Sequence, residues 1–183
     1  MAKERKNSVR QSIIETASRL FYKQGYTSTG INQIIAESGV VKSTLYSTFR
    51  SKEEILMAYL ETEGAISDKE LKDATEKFED PKEKILAVFD YLMNIVQKKD
   101  YYGCHFLNIV SEVTKEDEVV RSQIKKQKNK VRQLFHQILE PIEKADLSDE
   151  IYTLFEGALA GNKVHDDVFP VLNAKKIAEK LLN

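Results

Sequence analysis

The sequence predicts an all-α protein, and three observations carry that expectation. Glycine and proline are sparse, 7 and 3 in 183 residues, and no alternating run of β-branched residues marks a strand. Polar residues suited to helix caps recur ahead of apolar periodicity, each with a partner three positions on: Ser8 with Gln11, Ser51 with Glu54 and Asp80 with Glu83. Between the first two of these caps lie two very short helical patterns separated by a glycine.

The first helix is expected over 8–24, where Ile13, Ala17, Leu20 and Phe21 form one stripe and Gly25 ends it. Short helices follow over 31–37 and 42–48, with Gly39 between them free to take a left-handed turn. A fourth helix covers 51–75. Pro81, at the first-turn position where its missing N–H costs nothing, opens a fifth over 81–98. A short helix over 104–112 follows Gly103, and the polar stretch 114–117 starts a long one reaching about 143. That long helix carries a stripe from Val120 to Leu139, interrupted by a basic turn at 125–130 that is expected to face solvent. Residues 146–149 read as a separator before an apolar helix over 151–161, and Phe169-Pro170 precedes a last helix over 171–182.

Composition bounds the function. A hydrophobic content of 42% supports a core without covalent staples. The single cysteine, Cys104, excludes an internal disulfide and a cysteine-rich zinc site, and His105, His136 and His165 have no ligand spacing, so no metal or other cofactor is expected. No nucleophile–base–acid set or phosphate loop supports an enzyme. No export signal or membrane span is legible, which leads us to expect a soluble, cytoplasmic protein. The net charge of -1 conceals an asymmetry: residues 1–52 hold nine Lys or Arg against three Glu, and the remainder holds 19 against 26 acidic residues. A polyanion would be drawn to the N-terminal end.

The same end carries the most informative motif. Ile31, Ile34 and Ile35 are spaced to bury one face of the second helix, and Leu45 and Phe49 bring the third back to a core. What is left outward on the third helix, Lys42, Ser43, Thr44, Tyr46, Ser47 and Thr48, is nearly all hydrogen-bonding, as a helix meeting phosphates and base edges requires. This is a helix-turn-helix pattern.

Gly25-Tyr26, Thr29, Gly39-Val40, Thr44-Leu45-Tyr46, Phe49 and Ser51-Lys52-Glu53-Glu54 resemble the DNA-binding domain of the tetracycline-repressor (TetR) family, over about Ser8 to Tyr59. The resemblance implies a helix-turn-helix DNA-binding domain over 1–50 and a helical effector-binding and dimerisation domain over 51–183. It also implies a homodimeric repressor, released from a near-palindromic double-stranded operator by a small molecule. By the resemblance, Thr29, Lys42, Thr44, Tyr46 and Lys52 touch the DNA, although the Tyr46 ring could instead pack on the first helix. Val41 stands where a capping Ser or Thr is common, and Ser47-Thr48 replace an aromatic or histidine, so base readout in this region would rest on Ser43 and Ser47, with Val41 as a further candidate.

In the family the fourth to seventh helices enclose an effector cavity. The matching region here offers Met57, Tyr59, Leu86, Phe89, Met93, Cys104, Phe106, Ile109, Phe135 and Phe155, which suits a hydrophobic or aromatic effector, each of them equally open to a core role. The last two long helices of the family pair with a second copy. Ile151, Leu154, Phe155, Ala158, Leu159 and Gly161 could supply that face, or be buried within their own subunit. Regulation by a protein partner, or by oxidation of Cys104, is the alternative to a small ligand.

Overall fold

The computed structural model describes residues 2–183, with side chains from Asn7 onward. Among the described residues there are nine α-helices and no strand. They are α1 (Ala2–Gln24), α2 (Ile31–Ser38), α3 (Lys42–Thr48), α4 (Lys52–Thr75), α5 (Pro81–Val96), α6 (His105–Glu112), α7 (Glu118–Leu139), α8 (Ser148–His165) and α9 (Phe169–Leu182). None of them is long and apolar enough to cross a membrane.

Several boundaries follow from local chemistry. The α1 helix runs through the expected cap at Ser8, because Lys, Glu and Arg ahead of it are good helix formers. Gly25 ends it at φ +95, and Gly39 closes α2 at φ +70. At α5 the expected cap forms: the Asp80 carboxylate accepts the Glu83 N–H at 2.9 Å, with Pro81 behind it. The apolar stripe of α7 continues beyond its end, but Pro141 converts the chain to a 3₁₀ turn at Glu140–Ile142, closed by Glu143 at φ +57. Residues 148–149 are not a separator; the first turn of α8 holds Asp149 and Glu150, acids that complement a helix N-terminus.

Packing groups the chain into two compact units. The first holds residues up to Gly64 with His105–Ile124, and the second holds Ala65–Cys104 with Lys125–Asn183, so the divisions fall inside α4 and α7. The expected division at residue 50 follows the sequence motif; the grouping by contact gives the first turns of α4, and α6, to the first unit. In that unit Ile13, Ala17, Phe21, Ile34, Leu45, Ile55 and Tyr59 are buried, and the Phe21 ring meets Tyr26 and Tyr59 edge-on at 5.2 and 5.7 Å. In the second unit α9 packs on α8 and α5, with Phe89, Phe135, Ile151 and Val171 at the centre.

Candidate nucleic-acid interface

The reading surface is built from what α3 buries. Leu45 and Phe49, one turn apart, are buried, which turns Lys42, Ser43, Tyr46 and Ser47 outward. Tyr46 is 43% exposed, so its ring is not sequestered against α1. The helix starts at Val41, whose carbonyl accepts the Thr44 and Leu45 N–H groups at 2.9 and 3.1 Å, without any side-chain cap. At the other end, the Ser47 and Thr48 hydroxyls both donate to the Thr44 carbonyl, at 2.9 and 2.8 Å, and close the last turn. Arg10 of α1 lies over the Phe49 ring at 5.2 Å, which sets a cation beside the end of α3.

Two residues expected to touch DNA have other duties. Thr29 is fully buried; its hydroxyl donates to the Gly25 carbonyl at 2.7 Å and accepts from Gln24 Nε2 at 3.2 Å. Its side chain therefore shapes the loop between α1 and α2 and does not reach outward. Lys52 Nζ donates to the Tyr26 and Thr29 carbonyls at 2.9 and 3.0 Å and sits 4.2 Å from the Tyr26 ring centroid. Burial lowers its pKa, partly opposed by the Glu112 carboxylate. The ammonium pins that loop to the start of α4, and one N–H of three remains for a phosphate.

Sequence reasoning missed the other side of this clamp. Glu112, at the end of α6, accepts the Thr27 N–H at 2.7 Å. A Cβ on Gly25 would come within 3.0 Å of the same carboxylate, so position 25 needs glycine both for its φ and for this approach. Nothing within the motif signals a partner 85 residues away.

The expected effector residues divide between the units. Met57, Tyr59, Phe106 and Ile109 fall in the first, and Leu86, Phe89, Met93, Cys104, Phe135 and Phe155 in the second. Tyr59, Phe89, Phe106, Ile109, Phe135 and Phe155 are buried core side chains. The Tyr59 hydroxyl lies 2.6 Å from His105 Nδ1, and the His105 ring stacks on Tyr22 at 3.9 Å. Burial pushes the His105 pKa down to about 4, so the ring is neutral near pH 7 although Glu63 stands 3.5 Å from Nε2. A cleft of about 590 Å³ in the second unit is lined by none of the ten; its floor includes Leu71, Thr75, Val131, Leu134 and Ile138.

Cys104 is half-buried, and its sulfur is 3.5 Å from Lys128 Nζ. The basic turn at 125–130 thus only partly faces solvent: Lys125, Lys126 and Lys130 do, while Gln127 is buried and the Lys128 side chain is 13% exposed. Lys128 Nζ reaches both oxygens of Glu156 at 2.8 Å. Burial works against its charge, but Cys104 and Glu156 together hold its pKa above the usual lysine value.

The face expected to pair copies is mostly spent within the chain. Ile151, Phe155, Ala158 and Leu159 are buried against their own subunit, Leu154 is half-buried, and a Cβ on Gly161 would meet Pro170 at 3.0 Å. Apolar spacing cannot tell which stripe a helix turns inward. On the opposite side of α8, Thr153, Gly157 and Ala160 are exposed and Val164 is 77% exposed.

Comparison with known proteins agrees with this geometry. Residues 13–59 match the family described as bacterial regulatory proteins, tetR family. An uncharacterised HTH-type transcriptional regulator of Lactococcus lactis subsp. lactis is 33% identical over 116 residues, 62% of this chain, and the match spans 59% of that relative's length. The HTH-type transcriptional repressor NemR of Escherichia coli is 26% identical over 95% of this chain and 94% of its own; its crystal structure in a reduced form superposes with a TM-score of 0.84. A TetR-family regulator of Streptomyces coelicolor shares the fold at a TM-score of 0.89, with 23% identity over 95% of this chain and 88% of that one. These relatives are regulators of transcription, not enzymes. Residues 13–59, which hold α2 and α3, thus match the DNA-binding domain of the tetR family, and the chain as a whole shares the fold of TetR-family regulators.

Proposed function

We propose that the protein represses transcription as a homodimer bound to a near-palindromic operator, and that a small hydrophobic effector releases it. The observation that carries the reading is the outward face of α3, polar at Lys42, Ser43, Tyr46 and Ser47 and held from behind by buried Leu45 and Phe49. One such head reads too few base pairs to specify a promoter, so two copies are needed, with half-sites about 34 Å apart.

The second copy is best accommodated on the outward side of α8. Thr153, Gly157, Ala160 and Val164 follow one another at helical spacing, and a Cβ on Gly157 would meet nothing within 4 Å in the single chain. Gly157→Arg is therefore expected to leave the subunit folded, since almost any residue suits a helix interior better than glycine by up to about 1 kcal/mol. It should nevertheless split the dimer in sedimentation and lower operator affinity at least tenfold. A variant that sediments as a dimer would remove this face from the interface.

A specific observation favours a second input. Cys104 is only half-buried and its sulfur lies 3.5 Å from Lys128 Nζ, within the Lys128–Glu156 pair, so a change at the sulfur would disturb that pair. Iodoacetamide or hydrogen peroxide is expected to weaken operator binding by the wild type and to leave Cys104→Ser unaffected. Equal responses from the two proteins would exclude the sulfur as a sensor.

A further inference from the structure

Val41 is an exposed apolar side chain of the reading head that does no capping. It occupies the N-cap of α3 with extended backbone, φ -77 and ψ 151, where Ser, Thr, Asp or Asn would close an open N–H and stabilise the helix by about 1 kcal/mol. Its carbonyl does the work of starting the helix; its isopropyl group caps nothing and is 65% exposed. Single exposed apolar residues are common on any protein surface, so exposure alone decides nothing. Position does. Val41 immediately precedes Lys42 and Ser43, both exposed, at the end of the recognition helix that meets base edges in a helix-turn-helix complex.

The floor of the major groove offers donors, acceptors and one apolar group, the C5-methyl of thymine. Lys42 and Ser43 match the first two kinds, and Val41 is the exposed, wholly apolar side chain at this end of α3 that matches the third. We infer that Val41 reads a thymine methyl in each operator half-site, so that it sets sequence preference at one base pair. The inference rests on the DNA-reading function proposed above. The contact is apolar and neutral, so its loss should change discrimination between sequences without changing the salt dependence of binding.

Deoxyuridine lacks only the methyl group and isolates the contact. An operator is first enriched from random duplexes with the full-length protein, and each thymine of one half-site is then replaced in turn by deoxyuridine. One replacement is expected to weaken wild-type binding about fourfold, the equivalent of one buried methyl group, while Val41→Ser binds the two duplexes equally well. Serine restores a cap, so the variant keeps its fold. The inference is overturned if no replacement changes affinity, if the enriched half-site holds no thymine, or if Val41→Ser remains as sensitive to the methyl as the wild type. Failure to enrich any sequence would overturn the DNA-reading function as well, which separates the two.

Discussion

Glu156→Ala is expected to destabilise the protein by about 3 kcal/mol, the lower end of what removal of one partner from a buried ion pair costs. Lys128 is 13% exposed and Glu156 21%, and their atoms meet at 2.8 Å, so solvent screens the pair little. Without the carboxylate, the ammonium keeps the weak Cys104 sulfur contact at 3.5 Å against its desolvation. Urea unfolding measures the loss, and a cost under about 1 kcal/mol would place the pair with ordinary surface ion pairs. Lys128→Met combined with Glu156→Leu should recover most of it, because replacing both partners removes the desolvation penalty together with the attraction. The sign with pH follows from the raised lysine pKa. The stability it contributes is complete below the ordinary value of 10.5 and fades as pH rises through the folded-state value.

Leu45→Ala should have the largest effect on function. Leu45 is fully buried, and truncating such a leucine costs about 2–5 kcal/mol. A helix of seven residues has no stability of its own, so α3 keeps its orientation only through Leu45 and Phe49. Operator affinity should fall more than tenfold together with the melting temperature. Ser43→Ala provides the contrast: the side chain is exposed, and its loss should leave stability within about 0.5 kcal/mol while weakening operator binding. If Leu45→Ala melts like the wild type, the scaffold role assigned to it is wrong.

These variants also separate what the sequence displays from what it hides. The reading head is legible because its signals are local: a glycine that must turn left-handed at Gly39, and two apolar returns at Leu45 and Phe49. Residue type alone cannot distinguish an outward hydroxyl from one folded back on its own loop, and Thr29 is the second kind. Nor does residue type show that the Lys52 ammonium holds two loop carbonyls and keeps one N–H for a phosphate. The Lys128–Glu156 pair and the Glu112 clamp join residues 28 and 85 positions apart, beyond any periodicity. On α8 the sequence leaves two readings of Ile151, Phe155, Ala158 and Leu159 open, a face for a second copy or the core of their own subunit, and these side chains are buried within the single chain.

The central claim is that two copies of this chain read a specific DNA sequence through α3. Sequence enrichment from a pool of random duplexes, carried out with competitor DNA at about 50 and 200 mM salt, tests it most directly. The account predicts enrichment of a near-palindrome, with half-sites about one helical turn apart, that is bound in a competitor-resistant complex at both salt concentrations. A pool that stays random, with only weak binding that the higher salt abolishes, would contradict it.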